Sequence, residues 1–330
     1  MSLPNDDRDP WGAELSREIA RSAPGRGAAG VYSAVPSLPP HQDGSEDAED
    51  EDIPVAPVRR RLSVAVAGFA ALLAVGLILG AQTSGPDARV PYAIVVFGVQ
   101  LLFVLAWTMA IRPPAPALVA GICVAAGLVA DYTAVTSDAV SLVPLVYVAG
   151  GALVAAVAVE GIRAADRQRA RDSFGATLLL VLGVVVFAAL IVLTRKPVGT
   201  QAVMVCVAAA GVAVVAARLT DAVFAKPRIA PQVPRGGAGI VLGAMLGTLV
   251  AAGLGSVLVL PFTPAKGAVL GLVAAGLAVL VDLAVNYAEA GRSMAGAAPT
   301  FWVARHMQGP LGAFAATAPA TYALTAFYLS

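Results

Sequence analysis

From residue 62 onward, apolar stretches long enough to cross a bilayer alternate with short polar segments, and charge falls in the segments rather than over the faces of the stretches. A hydrocarbon core of about 30 Å takes about 20 helical residues at about 1.5 Å each. On that measure nine transmembrane helices are expected, at 63–81, 91–111, 115–131, 139–159, 175–194, 200–217, 238–260, 267–288 and 309–329. The expected fold class is all-α, a polytopic transmembrane helical protein whose membrane domain occupies residues 59–330.

Residues 1–58 follow a different rule. Met1 to Pro57 holds eight prolines, many Ser, Gly and Ala, and an acidic run from Glu46 to Asp52. Such a segment buries too little apolar surface to offset its ordering entropy, so a disordered tail is expected. Within it Trp11, Leu15 and Ile19 recur at every fourth position. That spacing fits a short amphipathic helix near 11–20 that docks on a membrane surface or a partner, and equally a transient helix in a floppy tail.

Composition sharpens this picture. A hydrophobic share of 58%, a charged share of 13% and a mean hydropathy of +0.79 over 330 residues exceed what a soluble core needs. The net charge of +1 conceals an asymmetry: residues 1–58 carry four arginines against twelve acids, residues 59–330 carry 18 basic against nine acidic residues. The acidic tail suits recruitment of a cytoplasmic partner, and no nucleic-acid partner is expected. With the N-terminus inside, fourteen of the 18 basic residues fall in cytoplasmic segments and only Arg89, Arg195, Lys196 and Lys266 fall outside. An even number of spans would break this bias in the second half of the chain, so nine spans with the N-terminus in and the C-terminus out are expected. Nineteen arginines against three lysines, with abundant Ala and Val, point to a high-GC bacterial source and hence to a bacterial plasma membrane. No cleavable signal peptide is expected, because the first apolar run starts after residue 61 and is long enough to stay in the bilayer. Cys123 and Cys206 lie inside apolar stretches and read as small hydrophobes, with neither a disulfide nor a metal assigned to them.

Strong chemical motifs are missing: there is no GxxxxGK[ST], no CxxC and no HExxH, and one of the two histidines, His41, lies in the tail. Asp282, in LAVLVDLAVNYAEAG, is an ionisable residue inside a span. It is either part of a functional site or a carboxylate near the cytoplasmic mouth, bonded to Asn286 or paired with an arginine. Asp221 follows Arg218 and Thr220 at a span end, where a solvated loop carboxylate is expected. Glu160 faces the Arg163–Arg171 cluster and reads as an ordinary cap or surface pair. The loop AKPRIAPQVPRGGAG sets Lys226, Arg228 and Arg235 among three prolines and leads into a helix N-terminus, a place where lipid headgroups or phosphates are favoured.

From Thr220 onward the order of features resembles that of phosphatidate cytidylyltransferases, the bacterial membrane enzymes that make CDP-diacylglycerol. Thr220-Asp221 resembles the family's Ser-Asp, FAKP at 224–227 its FGK-type loop, Pro234-Arg235 its Pro-Lys-Lys, and Val281-Asp282-Leu283 its Gly-Asp-Leu. The stretch HMQGPLGAFAATAPATYAL, from His306, resembles the closing signature of His-Gly-Gly and then Asp-Arg. The resemblance covers roughly residues 218–329. It implies a cytoplasmic site in which carboxylates hold Mg²⁺ at the CTP phosphates, with Asp221 and Asp282 in that role here.

The departures fall on the chemistry. Gln308-Gly309-Pro310 stands for His-Gly-Gly and Ala313-Phe314 for Asp-Arg. Val285 and Asn286 replace an acid and a serine, and Glu289 and Ala290 replace a Lys-Arg pair. The expectation is a degenerate, non-catalytic relative that binds lipid, including anionic phospholipid, or acts as a scaffolding subunit in envelope lipid metabolism. The alternatives are an active cytidylyltransferase using Asp221 and Asp282 with Mg²⁺, and a membrane transporter or transporter subunit.

Overall fold

In the computed structural model the described residues are 59–84, 88–113, 115–138, 140–163, 167–224, 226–297 and 300–329, with the side chains of 163–173 left undescribed. The acidic tail and its Trp11–Leu15–Ile19 segment lie outside them. Among the described residues ten helices follow in order: α1 (Arg60–Gln82), α2 (Val90–Ile111), α3 (Pro116–Thr136), α4 (Val143–Arg163), α5 (Arg167–Val185), α6 (Ala188–Thr194), α7 (Gly199–Val223), α8 (Gly237–Val257), α9 (Pro264–Met294) and α10 (Trp302–Phe327). Among the described residues there is no strand, only an isolated antiparallel bridge between Arg228 and Gly236.

Among the described residues, eight helical segments are long and apolar enough to cross a membrane: α1 to α4, the α5–α6 segment Phe174–Thr194, and α7 to α9. This is the architecture of a multi-pass helical membrane protein. Leu72, Ile94, Val154, Leu249 and Phe327 stand exposed on the outside of the bundle, as lipid-facing residues do. The ninth expected span corresponds to α10, 26 residues long, whose two internal prolines and polar residues dilute its apolarity below that of the other eight. Its buried threonines are satisfied within the helix. Thr317, Thr321 and Thr325 donate to the carbonyls of Ala313, Thr317 and Thr321 at 2.8, 2.8 and 2.7 Å.

Small residues set how closely the helices approach. The buried face of α8 is Gly239, Gly243, Gly247, Ala251 and Gly255, one every fourth residue. A Cβ on Gly243 or Gly247 would come within 2.5 Å of the carbonyl oxygens of Ala213 or Ala209 on α7. The backbones of α7 and α8 therefore touch, the small-xxx-small packing expected where lipid leaves no hydrophobic drive between helices.

Two expectations change. The stretch at 175–194 is not one helix: α5 stops at Val185 and α6 restarts at Ala188, with Ala189 and Leu190 donating to carbonyls only three residues back, on Val186 and Phe187. Nothing in the local sequence VVVFAAL marks this break; its partners come from other helices. The expected third span ends at Asp131, yet α3 continues to Thr136 and keeps that aspartate inside the helix.

Candidate functional site

One end of the bundle gathers four charges that are far apart in sequence. Arg218 and Asp221 share one face of α7 at i and i+3, Asp282 comes from α9, and Arg235 comes from the loop before α8. That loop folds back on itself: Ile229 donates to the Arg235 carbonyl at 3.2 Å and Gly237 to the Pro227 carbonyl at 3.1 Å. The turn points the Arg235 side chain into the bundle, where it is only 1% exposed.

Arg235 is shared between the two acids. Its Nη1 donates to Asp221 Oδ2 at 2.6 Å and its Nη2 to Asp282 Oδ2. Arg218 Nη2 donates to Asp282 Oδ1 at 2.5 Å. The last carboxylate oxygen, Asp221 Oδ1, accepts from the backbone N–H of Gly236 at 2.9 Å. Gly236 is the N-cap of α8, so the anion held at this helix start is the protein's own Asp221 rather than a phosphate. The cluster is charge-balanced, two acids against two guanidinium groups.

Glycines make room for it. A Cβ on Gly309 of α10 would overlap Asp282 Oδ1 and lie 3.1 Å from Arg218 Nη2, and one on Gly239 of α8 would overlap Asp221 Oδ1. Five elements thus meet at the four charges: α7, the loop, α8, α9 and α10.

A second network lies further along α9. Glu289 accepts from Arg292 one turn on, from Thr300 at 3.2 Å, and from Arg305 Nε of α10 at 3.4 Å. It ties the end of α9 to the start of α10.

No family model, no curated protein and no solved structure matches this chain. The functional reading therefore rests on its own geometry.

The structure brings Asp221 and Asp282 together, but through an arginine. Every carboxylate oxygen of the pair accepts from a guanidinium or a backbone N–H, and the nearest side-chain charges are cationic. Among the described residues there is no group of three or more His, Cys, Asp or Glu placed to hold a metal. This donor set does not fit Mg²⁺, which needs free oxygens and an environment that is not already neutralised.

Two readings from the sequence, those of Asp221 and Glu160, are corrected by burial. Asp221 is not a solvated loop carboxylate but a helix residue 2% exposed, held by Arg235 and Gly236. For Asp282 the arginine alternative is the one seen, and Asn286 bonds its backbone carbonyl rather than its carboxylate. Glu160 is not at the surface but buried on α4, where it accepts from Thr177 of α5 at 2.5 Å. The three loop cations also part company: Lys226 is exposed, Arg228 is half-buried with its Nη1 toward the Pro231 carbonyl at 3.5 Å, and Arg235 is buried.

Two polar residues went unread in the sequence. Gln100 of α2 and Asp131 of α3 meet inside the bundle, with Gln100 Nε2 donating to Asp131 Oδ1 at 3.0 Å and to the Val184 carbonyl at the α5–α6 break at 3.1 Å. The signal for Asp131 was the apolar continuation Tyr132 to Val135, which carries the helix past it.

Proposed function

We propose that this chain is a nine-span membrane protein, N-terminus in and C-terminus out, that binds lipid or scaffolds a partner in envelope lipid metabolism and does not transfer nucleotidyl groups. The observation carrying the non-catalytic reading is the closed charge cluster: the two carboxylates a cytidylyltransferase would offer to Mg²⁺ are already neutralised by Arg218 and Arg235. The acidic tail would be the partner-recruiting element and the exposed Lys226 a headgroup contact.

An apolar cavity of about 290 Å³ supports the lipid reading. It lies between α4 and the α5–α6 segment, with Leu145, Ala149, Leu153, Val185 and Ala189 among its walls and Pro319 of α10 closing it. Its volume is near the lower bound of about 300 Å³ for small-molecule pockets, and its lining suits a segment of acyl chain.

Sidedness finds support at the opposite end of the bundle. The four cations assigned to outer loops all have partners there. Arg89 and Arg195 donate to carbonyls of Val135, Ala134 and Ser137 at the C-terminus of α3, where cations are favoured. Lys196 sits 4.3 Å from the Tyr322 ring centroid and Lys266 6.0 Å from that of Tyr328. Impermeant thiol labelling of Lys226→Cys and Lys266→Cys in intact cells tests the topology. Label on position 266 alone is expected; label on position 226 would overturn it.

Activity is tested with purified protein in liposomes containing phosphatidic acid, CTP and Mg²⁺. No CDP-diacylglycerol is expected, with phospholipid retained on the folded protein in native mass spectrometry. Product formation that vanishes in Asp282→Asn would overturn the non-catalytic reading. A transporter or transporter subunit is the second reading, favoured by the interrupted α5–α6 segment and the buried Asp131 of α3, which Gln100 links to it.

A further inference from the structure

The Gln100–Asp131 pair differs from the charge cluster in one respect: no cation among the described residues reaches it. Asp131 is 5% exposed and Gln100 1%, and no ion pair involves Asp131 among the described residues. Both hydrogens of the Gln100 amide are used, one on Asp131 Oδ1 and one on the Val184 carbonyl. Those two acceptors fix which way the amide points, since a flipped amide would set its oxygen against both. The remaining atoms, Asp131 Oδ2 and Gln100 Oε1, are buried acceptors without a donor.

An ionised carboxylate with one amide donor is expensive in hydrocarbon, and a lone amide oxygen adds to the cost. Both are relieved by one small positive charge. Among the described side chains the surroundings supply none. Among the described side chains, the titratable and charged groups on α3 and the elements packed against it are Cys123, Tyr132, Asp138, Tyr92 and Tyr147, then Glu160, which accepts from Thr177, and Arg89 and Arg195, which donate to the α3 carbonyls; Arg163 of α4 and Arg167, Arg169, Arg171 and Asp172 of α5 have side chains outside the described ones.

The backbone is shaped for the pair as well. Gly127 leaves the space beside Gln100 Oε1, which a Cβ would approach to 2.9 Å. The α5–α6 break turns the Val184 carbonyl to Gln100 and presents Phe187 to Phe103, ring centroids 5.8 Å apart. Interrupted spans whose carbonyls face a polar group in the bilayer are where membrane proteins hold ions.

We propose that Asp131 and Gln100, at the break in the fifth apolar span, form an intramembrane site for one monovalent cation, H⁺ or Na⁺. The proton would sit on the Asp131 carboxyl as an O–H donor; Na⁺ would be held by the two orphaned oxygens. Neither depends on the lipid-binding reading.

The test is infrared difference spectroscopy of the full chain in lipid nanodiscs, in sodium chloride and in choline chloride at equal ionic strength. For H⁺, a protonated-carboxyl band is expected in both media, lost in Asp131→Asn and shifted in Gln100→Leu, which keeps the acid. For Na⁺, the band is expected in choline only and is suppressed by a saturable sodium titration. Should Asp131→Asn fail to fold, the Gln100→Leu shift and the wild-type sodium titration still assign the band. A carboxylate that stays ionised in both media and ignores sodium, or a protonated band unaffected by Gln100→Leu and Asp131→Asn, would overturn the proposal.

Discussion

Replacing Arg235 by methionine keeps most of its bulk and removes the one group that serves both buried acids. Asp221 would keep only the Gly236 N–H, and Asp282 only Arg218. Removing one partner from a buried pair costs about 3–5 kcal/mol, because the charge left behind stays desolvated. At about 1.4 kcal/mol per tenfold, Arg235→Met should lower the folded-to-unfolded ratio by about two to three and a half decades. Asp221→Asn alone should also destabilise, since it leaves two guanidinium groups facing one acid. Combined, the two substitutions leave Arg218 and Asp282 as a balanced pair, so the double variant should be more stable than the sum of the singles by about 1–3 kcal/mol. Equilibrium unfolding in mixed detergent–SDS micelles, followed by tryptophan fluorescence, measures all three. Additivity within about 0.5 kcal/mol, or an Arg235→Met cost below about 1 kcal/mol, would refute the shared-arginine geometry.

The other predictions probe neighbouring features. Gly309→Ala places a methyl on Asp282 Oδ1 and should cost about 1–3 kcal/mol by forcing the carboxylate off Arg218, read in the same assay; a neutral result would mean that α10 does not approach so closely. Gly247→Val should force α7 and α8 apart and lower the melting temperature in detergent more than Gly253→Val, at a glycine where a Cβ meets nothing. Thr177→Ala removes a donor from buried Glu160 and should destabilise by about 1–3 kcal/mol, with Thr177→Ser restoring most of it. Chelation of divalent metal should leave the melting temperature unchanged, because guanidinium groups and the Gly236 N–H occupy the carboxylate oxygens; a drop on adding EDTA would contradict this.

The positions of the helices were legible because hydrocarbon demands long apolar runs: the expected 91–111 and 238–260 lie within three residues of Val90–Ile111 and Gly237–Val257 at each end. Ends were misread where a charge was taken to face water. Asp131 reads as a terminus until Gln100, 31 residues earlier, is seen to bond it. Asp282 was legible as an ionisable residue inside a span and Asp221 was read as a solvated loop carboxylate; the partner they share was not visible. Arg235 lies in a proline-rich polar loop, and only the folding back of that loop onto α7 and α9 turns a headgroup candidate into a buried counter-ion. The break at Val186–Phe187 has no local signal either; the side chains that meet it, Gln100 and Phe103, come from α2.

The shared arginine also bears on how the chain enters the bilayer. Asp282 alone at helix depth carries an insertion cost of about 2.5–3.5 kcal/mol, and α7 arrives earlier with Arg218 and Asp221 side by side. The neutralising contact for α9 lies partly in a loop made 47 residues before it. The helices from α7 to α9 are therefore better released to lipid as a group than one at a time, and a nascent chain cut before Asp282 would hold an unmatched Arg218 at the helix end. Biogenesis of this protein is bound to the survival of those segments beside the insertion machinery until the eighth apolar segment is synthesised.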